Sequence, residues 1–153
     1  MRVGIAADHE GFKLKCLLRD RLRQGPMTII DFGDAEFDPD DDYPDFIAPM
    51  ARAVASHEID RGIALCGSGI GACIAANKIK GIRAGIVHDM YSARQGVEDD
   101  DINVICIGAR LVGFALSEEL IKTFLATTFS DKPRHRRRLA KITKLEMQME
   151  TPV

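Results

Sequence analysis

Several large classes of protein are excluded by what this sequence lacks. It contains no apolar run near ~18 residues, so nothing in it reads as a membrane span. Met1-Arg2-Val3-Gly4 shows no signal-peptide pattern. The four cysteines, at positions 16, 66, 73 and 106, form no CxxC pair, and no histidine cluster has zinc spacing, so neither a metal nor a disulfide framework is expected. The formal net charge is only −2, which leaves no global field to gather nucleic acid or a membrane surface. Internal repeats, low-complexity segments and linkers are missing too. What remains is 153 residues, 46% hydrophobic and 29% charged, which predicts one soluble domain over 1–153 with a single substantial core. Cys16, Cys73 and Cys106 fall inside apolar strand or helix patterns. They read as small buried hydrophobes in a reducing compartment, and the expected location is the cytoplasm.

Short apolar runs alternate with amphipathic stretches along the chain. Strands are expected at Val3–Ala7, Met27–Phe32, Gly62–Leu65, Ile82–Val87 and Val104–Gly108. Helices are expected over Phe12–Leu22, from Pro44 onward, over Ala72–Lys80, from Met90 to about Val97, over Gly113–Phe124 and over Arg134–Met149. In the last of these, Leu139, Ile142, Leu145 and Met149 form the face expected to point inward. Continuous apolar strands alternating with helices predict an α/β fold: a three-layer αβα sandwich, Rossmann-like, with a five-stranded parallel sheet and an extra C-terminal helix. Ligands in such folds bind beyond the carboxyl ends of the strands. That rule gathers Asp8-His9, Cys66 with its loop, His88-Asp89 and Gly108-Ala109-Arg110.

The most informative stretch is Cys66-Gly67-Ser68-Gly69-Ile70-Gly71, between a strand and a helix. A glycine-rich turn there aims backbone N–H groups at one point and favours an anion. This one begins with a thiol, which a helix N-terminus would favour as thiolate, and carries a hydroxyl. Ser68 serves equally well as a helix cap. Asp8-His9 reads either as a cap pair or as part of the cleft, and Tyr43 either as surface packing or as part of the site. In the basic run Arg134-His135-Arg136-Arg137-Arg138, residues 134 and 138 share a helix face. Cations at a helix start oppose its dipole, so this placement asks for an anionic partner. No aromatics interleave the run, which weakens a nucleic-acid reading. The acidic run Glu98-Asp99-Asp100-Asp101 is the converse oddity, and one reading has it facing basic residues of another subunit.

Together these residues resemble the ribose-5-phosphate isomerase B / galactose-6-phosphate isomerase family, from Val3 to about Glu146. The resemblance is carried by Ala7-Asp8-His9-Glu10-Gly11, Asp42-Tyr43-Pro44, the Cys66–Gly71 loop, Ala75-Ala76-Asn77-Lys78, Asn103-Val104 with Gly108-Ala109-Arg110, and Arg134-His135 with Arg138. It implies cofactor-independent interconversion of aldose and ketose sugar phosphates, with ribose 5-phosphate and ribulose 5-phosphate of the pentose phosphate pathway as the default pair. In the implied roles Cys66 takes the proton from C2 and returns it at C1, and Ser68 helps move a proton between O1 and O2. The amides of Gly67, Ser68, Gly69, Ile70, Gly71 and Ala72 would stabilise the cis-enediolate. Asp8, His9 and Tyr43 would line the sugar site, and Arg110, Arg134, His135 and Arg138 would hold the phosphate. The resemblance also implies a homodimer or tetramer with sites shared between subunits, and no cofactor.

One departure bears on specificity. Where the family usually has a histidine followed by an asparagine, this chain has Asp99-Asp100. The histidine is credited with opening the sugar ring by donating a proton, which an ionised aspartate cannot do. The same chemistry on a tetrose 4-phosphate or hexose 6-phosphate is therefore an alternative. A different-class rival is a nucleotide-binding module, because Gly67, Gly69 and Ala72 have dinucleotide-fingerprint spacing with Asp89 downstream. Another is a non-catalytic sugar-phosphate-binding subunit.

Overall fold

The computed structural model describes residues 1–149, and for Met149 the backbone alone. The strands are β1 (Arg2–Ala7), β2 (Thr28–Asp31), β3 (Arg61–Cys66), β4 (Ala84–Ile86) and β5 (Val104–Gly108). The helices are α1 (His9–Leu22), α2 (Tyr43–Ala55), α3 (Ile70–Ala76), α4 (Met90–Asp100), α5 (Phe114–Ala126) and α6 (Pro133–Met149). The five strands form one parallel sheet in the order β2-β1-β3-β5-β4. The α/β sandwich read from the sequence is therefore the observed architecture. No helix among the described residues is long and apolar enough to cross a membrane.

Alternating side chains divide the core into two. Val3, Ile5, Ile63, Leu65, Ile105 and Ile107 meet α1, α4 and α5. The smaller Ala6, Ala64, Cys66 and Cys106 meet α2 and α3 on the opposite face. Connections that step one way along the sheet (β1 to β2, β4 to β5) lay their helices on the first face. Those that step the other way (β2 to β3, β3 to β4) use the second, as uniform crossover handedness requires. The chain thus reverses direction between β1 and β3, and their carboxyl ends open a crevice at Asp8 and Cys66.

Several sequence-based expectations are corrected. Helix α1 begins at His9 rather than Phe12, because Asp8 caps it by accepting from the Gly11 N–H at 3.1 Å. Helix α3 stops at Ala76 rather than Lys80: the Asn77 side chain donates to the Ala84 carbonyl and accepts from the Ala84 N–H, both at 2.9 Å, turning the chain into β4. Helix α4 runs on through the acidic residues to Asp100. Arg83 Nη2 donates to Asp101 at 2.7 Å, and Asp99 takes a bond from Gln95 at 2.9 Å, so the unfavourable dipole placement is offset locally. Cys106 is buried as expected, but Cys16 and Cys73 are only half-buried. The inward face expected of α6 is not formed: Leu139 is half-buried, while Ile142 and Leu145 are exposed. The expectation for Met149 lies outside the described side chains. Helix α6 runs along the amino-terminal edge of the sheet, held by His135 at one end and by Glu146, which accepts from the Gly81 N–H at 3.0 Å, at the other.

A fully buried lysine ties α1 to the segment after β2. Lys15 Nζ donates to Asp31 at 2.9 and 3.1 Å, to the Asp34 carbonyl at 2.7 Å and to the Gly33 carbonyl. Removing one partner of such a cluster strands the others without hydrogen bonds. Lys15→Met is expected to lower unfolding stability by about 3 kcal/mol. Urea denaturation checks this, and an unchanged midpoint would contradict it.

Candidate active site

The loop between β3 and α3 is shaped by two glycines. Gly69 has φ +82°, a left-handed conformation that side chains with a Cβ disfavour. At Gly108, at the end of β5, a Cβ would stand 2.7 Å from the Ser68 carbonyl. Their absence of side chains lets the two loops touch. The Ala109 N–H then donates to the Cys66 carbonyl at 2.8 Å and the Arg110 N–H to the Gly67 carbonyl at 3.0 Å.

Cys66 ends β3 at 5% exposure, and its Sγ accepts from the Gly69 N–H at 3.1 Å. Ser68 Oγ accepts from the Ile70 N–H at 3.3 Å. Two of the expected oxyanion amides are therefore already engaged within the loop. Those of Gly71 and Ala72 open the first turn of α3, where no preceding helical carbonyl can accept from them. A cavity of about 370 Å³ lies over the loop, lined by Asp8, Glu10, Tyr43, Cys66, Gly67, Ser68, Gly71, Arg110 and Leu111. Gly71 is required beside Tyr43, since a Cβ there would come within 2.7 Å of the phenol ring.

Charges around the cavity are ordered. Burial pushes the Asp8 carboxyl above its ordinary value, against the opposing Gly11 hydrogen bond. Arg110 faces Glu10 through two hydrogen bonds, from Nε at 2.6 Å and from Nη2. This pairing lowers the Glu10 carboxyl and raises the Arg110 guanidinium. His9 stands beside the cavity, its Nε2 3.6 Å from Glu10 Oε1, and its hydrogen bond to Asp41 pushes the ring above its ordinary value.

Asp8, His9, Tyr43, Cys66, Gly67, Ser68, Gly71 and Arg110 are thus brought together, with Gly69 and Ala72 behind the loop and Ile70 exposed at its outer side. The remaining residues singled out in the sequence stand elsewhere. Asp99 and Asp100 end α4, about 14 to 15 Å along its axis from the residue that starts it. Asp99 borders another cavity with Met90, Tyr91, Arg94, Gln95 and Glu98. His135 is buried against that end, 3.4 Å from Asp99 and 2.7 Å from Ser130 Oγ. The acidic run therefore meets a basic residue of its own chain. Arg134 and Arg138 lie exposed on α6, toward the amino-terminal edge, opposite Cys66. His88 accepts the Gly108 N–H at 3.0 Å, and Asp89 caps α4 through Ser92 N–H at 2.8 Å, so both brace the edge of the site. Glu10 and Leu111 were missed as lining residues. Glu10 stood inside a motif already singled out, but its partner lies 100 residues away. Among the described residues no group of three or more His, Cys, Asp or Glu is placed to hold a metal ion.

A family model described as Ribose/Galactose Isomerase matches residues 3–142. The chain belongs to that family. A ribose-5-phosphate isomerase B from Clostridium thermocellum superimposes with a TM-score of 0.94 at 41% identity, covering 98% of this chain and 100% of that one. The enzyme of the same name from Mycoplasma genitalium, solved with bound ribulose 5-phosphate, gives a TM-score of 0.90 at 36% identity, covering 98% of this chain and 97% of that one. A D-erythrulose-4-phosphate isomerase of Pectobacterium atrosepticum is 39% identical, over 84% of this chain and 85% of its own. As a member of the ribose/galactose isomerase family, the chain is an aldose–ketose isomerase of the sugar-phosphate class.

Proposed function

We propose that the chain interconverts ribose 5-phosphate and ribulose 5-phosphate through a cis-enediolate, with Cys66 as the base. The observation that carries this reading is the nearly buried Cys66 sulfur facing a cavity that also holds Ser68, Asp8, Tyr43 and Arg110. The Cys66 thiolate takes the C2 proton of the open-chain aldose, and the C2–H electron pair becomes the enediolate double bond as the C1 carbonyl oxygen gains the charge. The thiol then returns the proton to C1, the O2–H electrons form the new carbonyl, and the Ser68 hydroxyl relays the proton from O2 to O1. Oxidation at C2 balances reduction at C1, so no electron acceptor is consumed. Loop amides near the oxygens stabilise the intermediate's charge where it develops.

A single chain leaves this site without Asp99, Asp100, Arg134, His135 and Arg138. We assign them to the site of a second copy, in a homo-oligomer with shared sites. Exposed apolar side chains support such an assembly, with Leu111 at the Cys66 cavity, Ile70 and Ile74 on α3, Tyr91 at the cavity bordered by Asp99, and Ile142, Leu145 and Met147 on α6. The four unpaired cysteines are in keeping with a cytoplasmic location.

A second reading is favoured by Asp99. A carboxylate accepts hydrogen bonds and does not protonate a ring oxygen. A tetrose 4-phosphate has no free hydroxyl with which to close a furanose, so it needs no such acid. The deciding experiment is a panel of four- to six-carbon sugar phosphates assayed on wild type and Asp99→His. The expected result is the highest kcat/KM on ribose 5-phosphate, raised further by the histidine. A higher kcat/KM on the tetrose ester would replace this assignment with the second reading, and turnover of none would overturn both.

A further inference from the structure

The loop before α2 carries a carboxylate that the mechanism above leaves unused. Asp41 has a side chain only 5% exposed, although it lies in a run of acids. Its Oδ1 accepts from the His9 backbone N–H at 2.9 Å and stands 2.6 Å from His9 Nδ1. A ring nitrogen so close to a carboxylate oxygen carries the hydrogen, so Nδ1–H donates inward and Nε2 is turned away from the contact. Nε2 lies 3.6 Å from Glu10 Oε1, at the wall of the Cys66 cavity.

The other Asp41 oxygen, Oδ2, is buried without a hydrogen-bond partner. A buried carboxylate with one oxygen unsatisfied is unfavourable unless a cation stands beside it. A protonated His9 is that cation. The loop holding Asp41 is itself anchored. Lys15 grips its start at Gly33 and Asp34, and the Asp41 N–H donates to the Asp38 carbonyl at 3.3 Å. The contact is therefore part of a built structure that joins a buried lysine, an acidic loop and the first turn of α1.

Resting on the isomerase reading above, we propose that Asp41 is a positioning residue. It fixes the His9 ring through Nδ1 and keeps it cationic, so that Nε2–H meets an anionic oxygen of the sugar phosphate at the cavity rim. His9 faces Asp8 and Glu10 from its own helix start, Asp41 from the loop before α2 and, beyond Glu10, Arg110 from the loop after β5. The Asp41 hydrogen bond is the largest of these influences. It raises the ring above its ordinary value against partial burial, and the three acids add to it.

The test uses Asp41→Asn and Asp41→Glu in the full chain. The asparagine oxygen can still accept the His9 backbone N–H, so the start of α1 is kept, but the ring loses its charge partner. Followed by NMR, the His9 titration midpoint should move to lower pH in Asp41→Asn. Affinity for inorganic phosphate at pH 8, read at the same resonances, should fall about 10-fold, and at pH 6 by less than about 2-fold. On the best ester of the panel, kcat/KM should follow the same pH pattern, with the loss in KM, and Asp41→Glu should restore part of it. An unmoved midpoint would overturn the proposal, as would an equal loss at both pH values, the mark of a merely structural role. Absence of turnover on every ester would defeat the isomerase reading while leaving the titration and phosphate binding to decide the role of Asp41.

Discussion

Replacing Cys66 with alanine is expected to lower kcat by about 10³-fold, the scale on which a positioned general base contributes. The sulfur is the group in the cavity suited to carry a carbon-bound proton. Ser68 has a hydroxyl too weakly acidic for that work, and Asp8 is committed to capping α1 through Gly11. The substitution should leave the fold in place, because it removes one buried atom at the end of β3 and costs about 1 kcal/mol. Ribose 5-phosphate binding should persist within a few-fold, and exchange of the C2 hydrogen with deuterated solvent should be lost together with turnover. Cys66→Ser should show the same loss, since an alkoxide is not accessible near neutral pH. Full activity in either variant would remove the thiol from the mechanism. Loss of turnover with retained binding also disposes of the non-catalytic sugar-phosphate module, which has no turnover to lose.

The second large effect is a recovery. Cys66→Ala and the double variant Arg134→Ala/Arg138→Ala should each be nearly inactive alone, the latter through lost phosphate binding. In a mixed dimer one site combines both defects, and the other pairs an intact Cys66 loop with an intact α6. Random reassortment of equal amounts makes half of the dimers mixed, each with one native site of two, so about a quarter of wild-type activity should return. The physical basis is the distance between the two groups within one chain. Cys66 lies at the carboxyl edge of the sheet and the α6 arginines at the amino edge, so neither can reach the other's ligand. Activity that stays at the level of the separate variants after co-refolding would show that the α6 arginines do not complete a neighbouring site.

Much of this fold and site is legible in the amino-acid sequence. The five apolar runs became the five strands: β1, β3 and β5 are buried along nearly all their length and need continuous apolar sequence, a local property, while the edge strands β2 and β4 are only partly buried. The Cys66–Gly71 turn was legible for a similar reason. Glycines at 67, 69 and 71 mark backbone that must approach something, and the structure places Ser68 against Gly108 and Tyr43 against Gly71. Helix ends were less legible. Asn77 cuts α3 short through bonds to Ala84 across the chain reversal, and Arg83 and Gln95 let α4 continue through residues whose charge opposes its dipole. Both outcomes are set by partners that a local window does not contain.

By itself, then, the amino-acid order determined the strand–helix alternation, the glycine loop with its thiol, and the grouping of Asp8, Cys66 and Arg110 at one edge, because periodicity and backbone conformation act over a few residues. Tertiary structure alone decided that β5 sits between β3 and β4, that Glu10 grips Arg110, that Asp41 buttresses His9, and that the apolar side of α6 turns outward. Each of these depends on closing long segments of chain into contact, and charge or hydrophobicity at one position does not specify which distant residue will answer it.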